Sequence, residues 1–186
     1  MQILKKVLEF VMDILETVTF VGSLFIVVYL FAIQPNEIRG ASMDTTFEDG
    51  EYILTNKLVY RFGQPQKGDV VVFQSPENDD IDFIKRIIGT EGDRIMISNN
   101  DVYVNGQIIQ ENYAQEPTTL IDGGFLSDGQ EVVVPPNHIF VMGDNRPHSS
   151  DSRSFGPVPL QDVIGKVFFR YFPASRLGTI ENPNTI

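Results

Sequence analysis

The chain contains no cysteine. That excludes disulfides, thiolate nucleophiles and cysteine-based metal sites, and it leaves the protein free to live in an oxidising compartment without mispairing. Basic residues are scarce, 14 against 25 acidic, for a net charge of −11 with no Lys/Arg patch. Phosphate backbones need such a patch, so nucleic acid is not expected as a partner. Histidine occurs only twice, at His138 and His148. No group of His, Asp and Glu has metal-ligand spacing, and "NDD" at 78–80 reads as a solvated turn. Internal repeats and low-complexity linkers are missing too. Apolar and charged fractions are those of a folded protein, and 186 residues suffice for one compact domain plus one further element.

Charge is absent from Thr17 to Asn36. The segment "VTFVGSLFIVVYLFAI", Val18 to Ile33, with its neutral flanks, has the roughly 20 residues needed to cross about 30 Å of hydrocarbon. Lys5 and Lys6 precede it and only Arg39 follows closely, a bias that favours a cytoplasmic N-terminus and an external remainder. A cleaved leader is disfavoured because no small-x-small site follows Ile33. A buried core helix is disfavoured by the length and the lack of charge. "LKKVLEFVMDIL" before the span has helical spacing and either extends the same helix or lies on the membrane surface. The expected division is a cytoplasmic N-terminus and transmembrane anchor over 1–36, then an extracytoplasmic domain over 37–186.

After Pro35 no long 3.6-residue periodicity remains. Short runs rich in Val, Ile, Phe and Tyr ("EYILTNKLVY", "GDVVVF", "DFIKRIIG", "DRIMIS", "DVYVNGQII", "EVVV", "HIFVMG", "DVIGKVFFRYF") alternate with Gly, Pro, Asn and Asp. Asn105-Gly106 signals a hairpin and "SNND", Ser98 to Asp101, a second turn. The fold class is therefore mainly β, an antiparallel domain behind one N-terminal helix. Residues 111–130 are the least strand-like and read as a long loop or irregular hairpin, and "GTIENPNTI" is expected to fray.

Three polar clusters interrupt this texture. The first is "RGASMDTTFEDG", which sets Ser42 a few residues beyond the span. A serine hydroxyl needs a base beside it to act as a nucleophile. A histidine triad with Asp144 or Asp151 stays open on composition, although no G-x-S-x-G turn is present. The alternative base is Lys85 in "DFIKRIIG". Strand alternation puts Phe83, Lys85 and Ile87 on one face and Ile84, Arg86 and Ile88 on the other, so a cation borders apolar side chains whichever face turns inward. Desolvation would lower the amine pKa and free it to take a proton; on an edge strand the same lysine would merely guard against aggregation. The third cluster, "GDNRPHSSDSRSFG", reads either as a self-capping turn or as a polar shell around a catalytic group.

Taken in order, the clusters resemble the type I signal peptidases. The family's S-M-x-P-T-L box corresponds to "SMDTTF", its GDVVVF-like strand to Gly68–Phe73, its K-R-x-x-G-x-P-G-D box to "KRIIGTEGD", and its G-D-N-R-x-x-S-x-D-S-R-x-x-G box to Gly143–Gly156 at every fixed position. The resemblance spans roughly residues 17 to 170. It implies a membrane-bound serine endopeptidase that removes signal peptides after a small-x-small motif, with Ser42 as nucleophile and Lys85 as general base. It further implies Ser149 orienting the amine, Asp151 and Arg153 as a structural pair, Asp144 and Asn145 as supporting residues, and the Ser42 amide in the oxyanion hole. In some members of the family a hydroxyl two residues before the nucleophile completes that hole; here the position is Gly40, which leaves the second donor open, and the box prolines are replaced by Thr45 and Glu91. Loss of those prolines is expected to loosen a turn. Implied partners are preproteins bearing signal peptides, the lipid bilayer and the secretion translocon; no cofactor or metal is implied. A self-cleaving DNA-damage repressor of the same clan would need a DNA-binding helix-turn-helix and no span, the reverse of this chain. An anchored β domain that only binds a partner is the non-catalytic alternative, and retention of both Ser42 and Lys85 argues against it.

Overall fold

The computed structural model describes residues 1–183, apart from the side chain of Asp79. One long helix, α1 (Gln2–Ala32), is followed by twelve strands: β1 (Ile33–Glu37), β2 (Tyr52–Asn56), β3 (Val70–Ser75), β4 (Asn78–Thr90), β5 (Arg94–Ser98), β6 (Asp101–Val104), β7 (Gln107–Ile108), β8 (Glu131–Val133), β9 (His138–Met142), β10 (Val158–Pro159), β11 (Val163–Phe172) and β12 (Gly178–Thr179). Every described pairing is antiparallel. The larger sheet runs β1-β2-β11-β3-β4-β9-β10, with β12 beside β11, and the smaller β7-β6-β5-β8. The mainly β class expected from the spacing of turn residues is the class observed. α1 buries none of its residues and is long and apolar enough to cross a membrane. It gives way directly to strand at Ile33, so residues 33–36 already pair with β2.

The larger sheet has no solvated face at its centre. Val70 and Val72 of β3 pack with Met43, Phe47, Ile38, Ile53 and Val167, whereas Val71 and Phe73 pack on the opposite side with Ile87, Ile139, Val141 and Val158. A strand covered on both faces reads as a continuous apolar run, which explains "DVVVF". A third cluster joins Ile88, Phe140, Met142 and Leu126 to Ile95, Ile97, Val102 and Val104 of the smaller sheet. β4 is the hinge between them, contributing side chains to all three clusters.

The Asn105-Gly106 turn joins β6 to β7 with φ of +54° and +80°, as the dipeptide requires, and Asn99-Asn100 turns β5 into β6. Three expectations need correction. Residues 78–80 open β4 and are not a free turn, because the β3–β4 hairpin turns at Pro76-Glu77 and Asn78 already pairs with Ser75. "EYILTNKLVY" is strand only to Asn56, after which Val59–Phe62 form one helical turn. The tail does not fray over its described part: β12 pairs with β11, and Asn182 Nδ2 donates to Lys67 O at 2.9 Å and Asp69 Oδ1 at 2.9 Å; residues 184–186 lie outside the described residues.

The 111–130 segment has no strand or helix, yet it is moored. Glu111 forms an ion pair with the buried Arg146, Thr118 accepts from the same guanidinium, and the Phe125 and Leu126 amides donate to Ser154 O and Arg153 O at 3.0 and 3.2 Å. Glu111→Ala strands a buried guanidinium, which costs about 3–5 kcal/mol when the partner of a buried pair is removed. Denaturant unfolding of that variant is expected to show the loss, with faster proteolysis between 111 and 130; a stability within 0.5 kcal/mol, roughly the scatter of surface substitutions, would refute the mooring.

Candidate active site

Ser42 sits at the start of a tight hump. Met43 and Phe47 are buried in the core and pin its ends, while Asp44 N donates to Ala41 O at 3.0 Å and Phe47 N to Met43 O at 2.8 Å. Gly40, at φ +88°, turns the chain out of the β1 region, and Asp49 Oδ1 accepts its amide at 2.7 Å. These restraints leave the Ser42 side chain half-buried at a groove. No described group accepts from the Ser42 amide hydrogen.

Lys85 comes from the middle of β4, where Val71 of β3 is its cross-strand partner. The reading of Lys85 as a surface lysine guarding an edge does not hold, because this lysine is only 3% exposed. Its Nζ lies 2.8 Å from Ser42 Oγ, 2.9 Å from Ile84 O and 5.0 Å from the Phe83 ring centre. Burial pushes the amine down from its ordinary 10.5 to about 8; Asp151, Asp144 and Glu77 pull it part of the way back, and Arg153 adds to the fall. That shift corresponds to roughly 3 kcal/mol of cost to the charged form.

Arg86, one residue on, points to the opposite face and is also buried. It grips Asp144 through Nε–Oδ1 at 2.8 Å and Nη2–Oδ2 at 2.6 Å, and stacks 4.2 Å over the Tyr113 ring. Thr46 Oγ1 donates to Asp144 Oδ2 at 2.5 Å, tying the Ser42 hump to the same carboxylate. The Asn145 amide donates to Ser42 O at 3.1 Å and its Nδ2 to Ala41 O at 2.9 Å. Asp151 and Arg153 form a fully buried bidentate pair, both bonds 2.8 Å, and Asp151 also accepts the Gly143 amide at 3.0 Å. A Cβ at Gly143 would overlap both Ser149 Oγ and Ser42 O, so these three residues meet at one point. Ser149 Oγ is buried there with no hydrogen-bond partner among the described residues; it is near the Ser42 carbonyl and not bonded to Lys85.

The structure thus brings Ser42, Lys85, Asp144, Asn145, Ser149, Asp151 and Arg153 into one region. It leaves out the histidines. His138 Nδ1 is 2.7 Å from Pro136 O, and His148 is exposed on the groove; neither bonds to Ser42. Sequence reasoning left the Arg86 and Arg146 partners unassigned, although an arginine alternating with Ile84 and Ile88 in a core strand signals a buried pair.

A groove of about 650 Å³ runs past Ser42 and Lys85. Pro35 to Ala41 form one wall and Asp80 to Ile84 the other, with Ile53 and Val72 between them. β9 pairs with β4 only from Arg86 onward, so the Asp80–Lys85 edge that faces the groove carries no partner strand among the described residues.

The sequence profile "Signal peptidase, peptidase S26" matches residues 10–172. The chain belongs to the S26 signal peptidase family. It is 36% identical over 185 residues to signal peptidase IB of Staphylococcus aureus, covering 92% of this chain and 96% of that one. To the probable signal peptidase I-1 of Synechocystis sp. it is 39% identical over 157 residues, 81% of this chain and 76% of that one. A crystal structure of signal peptidase I from Enterococcus faecalis superposes with a TM-score of 0.46 at 30% identity, over 55% of this chain and 96% of that one. As a family member the protein is a serine endopeptidase acting in signal-peptide cleavage.

Against the family box, Thr45 replaces proline, and its φ is +75°. A proline ring holds φ near −65°, so the hump is not a loosened copy of a proline turn but a backbone that proline could not adopt. Thr45→Pro is expected to destabilise the protein by at least about 3 kcal/mol. Thr45→Gly is expected to raise stability by about 1 kcal/mol, since glycine enters that region freely. Paired melts of the two variants check this; a neutral Thr45→Pro would refute the left-handed backbone.

Proposed function

We propose that the chain is a membrane-anchored signal peptidase that works through a Ser42–Lys85 dyad. The carrying observation is the 2.8 Å contact between a half-buried hydroxyl and a buried amine whose pKa falls to about 8. In the neutral amine the hydrogen bond reverses, and the hydroxyl donates to the nitrogen. Ser42 Oγ attacks the scissile carbonyl carbon as its proton passes to Lys85 Nζ. The tetrahedral oxyanion is held by the uncommitted Ser42 amide. Collapse expels the new amine, which takes the proton from Lys85, and water attacks the acyl-serine by the same route in reverse.

Ser149, crowded against Gly143, is the reserve partner for the lysine amine, and the Asp151–Arg153 pair fixes the backbone that carries it. Asp144 and Asn145 hold the nucleophile hump from below. The substrate enters as an extended segment along the unpaired Asp80–Lys85 edge, adding a strand with its side chains alternately into the groove. The apolar floor at Ile53 and Val72 suits the small side chains of a small-x-small motif.

Residues 1–32 comprise the cytoplasmic N-terminus and membrane anchor, and the catalytic domain on the outer face of the cell membrane begins with β1, four residues before the expected boundary at 37. The 31-residue helix supports this, as does Lys5-Lys6 on one side of it. Ser42 lies nine positions after Ile33, so the nucleophile stays within about 30 Å of the bilayer, where a preprotein's cleavage site emerges. The bilayer and a translocon-borne preprotein are the partners this placement calls for.

Detergent-solubilised protein incubated with a preprotein tests the reading. Ser42→Ala and Lys85→Ala each abolish cleavage while the fold persists, and replacing both histidines spares it. The rate climbs with pH and levels off above about 8, because the unprotonated amine is the active form. Near-normal turnover in Lys85→Ala would sink the dyad. Stability carries an independent sign. The folded chain binds fewer protons than the unfolded one between about 8 and 10.5, so stability rises through that window and bears the full penalty below it. Lys85→Met therefore stabilises the inactive protein by up to about 3 kcal/mol at neutral pH, with the gain fading toward pH 10 in denaturant titrations.

A further inference from the structure

The hump that carries Ser42 is also gripped by residues outside all three sequence boxes. Arg170, on β11, donates from Nη1 to Thr46 O at 2.8 Å. Arg176, just beyond β11, donates from Nη2 to Thr45 O at 3.1 Å and to Thr46 O at 3.3 Å. These are the carbonyls of the left-handed residue Thr45 and of the residue that follows it.

Both arginines are organised by one buried carboxylate, 3% exposed in its side chain. Glu51 Oε2 accepts from Arg170 Nη1 at 2.7 Å, and Glu51 Oε1 faces Arg176 Nη1 at 2.8 Å as a charge contact without hydrogen-bond alignment. Arg170 Nε donates to Arg176 O at 2.8 Å, its guanidinium lies 5.5 Å over Phe47, and Glu48 completes the charge balance on Arg176 at 2.7 Å. None of Glu51, Arg170 and Arg176 lines the groove.

We propose that Arg170, Arg176 and Glu51 are positioning residues that aim Ser42 at Lys85. The proposal rests on the dyad reading given under Proposed function. In a turn that proline would have stiffened, the backbone instead occupies a conformation unfavourable for threonine, and its two outward carbonyls need strong donors to stay there. Two guanidiniums locked by a shared carboxylate supply them. Thr46 joins this clamp to the opposite support, since its hydroxyl reaches Asp144 while its carbonyl reaches the arginines. Release of the arginines frees the Thr45–Thr46 peptide to turn, and Ser42, three residues before Thr45, loses its fixed distance to the amine.

The test compares Arg176→Met, Arg176→Lys and Arg170→Met with the wild type in detergent, on a peptide spanning a signal-peptide cleavage site. The soluble, folded fraction is quantified by circular dichroism and a melt. Arg176 is the partly exposed member, so its variants carry the test if Arg170→Met fails to fold. Loss of positioning should lower kcat roughly 10- to 100-fold with KM within about 2-fold, because groove contacts are intact while the attack geometry is not. The midpoint of the pH–rate profile should stay near 8, since the surroundings of Lys85 are unchanged. Arg176→Lys should recover part of the rate by keeping one donor and the charge. Unchanged kcat per folded molecule overturns the proposal, and so does a rise in KM alone. Lys85→Ala is run beside them. If it is inactive while Arg176→Met is fully active, only the clamp is wrong; if it is active, the dyad itself fails.

Discussion

A lysine amine held out of water against a serine hydroxyl is the contact on which the rest of this structure depends. Removing an ammonium group from water costs free energy, and the protein carries that cost at Lys85, a β4 position only 3% exposed. The neighbouring carboxylates could undo the arrangement by stabilising the charged amine. Asp144 and Asp151 are each engaged by an arginine of their own, Arg86 and Arg153. The ion pairs therefore do two things at once: they fix the backbone around Ser42 and they temper the field that reaches Lys85.

Buried charge is unusually dense for a domain of this size. Arg86, Arg146 and Arg153 are among its least exposed side chains. Removing one partner of such a pair costs more than the intact pair contributes, so the network acts chiefly to exclude alternative geometries. It also extends into the irregular 111–130 segment through Glu111 and Thr118, which makes that segment part of the frame behind the site.

Much of this was legible in the sequence because the relevant signals are local. Turn chemistry at Asn105-Gly106 and alternation through "DFIKRIIG" gave the β class and placed Lys85 among apolar neighbours. The ordered boxes pointed to the residues that now meet at Gly143. Long-range pairing was not legible. Nothing near Arg170 in sequence names Thr46, and nothing near Glu111 names Arg146, because these contacts depend on strand order and on the sheet's curl. The 78–80 stretch misled for a related reason: acidic residues suggest a solvated turn, yet the backbone there completes the β3–β4 hairpin. Thr45 is a further case: its φ of +75° is closed to proline, a backbone state that the missing proline does not reveal in the sequence.

The larger sheet bends until its first strand and its fifth, β1 and β4, border the same groove. The protein at rest is in effect a barrel with one stave missing. An open seam of this kind invites pairing with any extended chain, including a second copy of itself. The seam carries Glu37 and Arg39 on one lip and Asp80 and Asp82 on the other, and charge of this sort keeps identical molecules from zipping together. Neutralising these few side chains would therefore expose the protein to self-association.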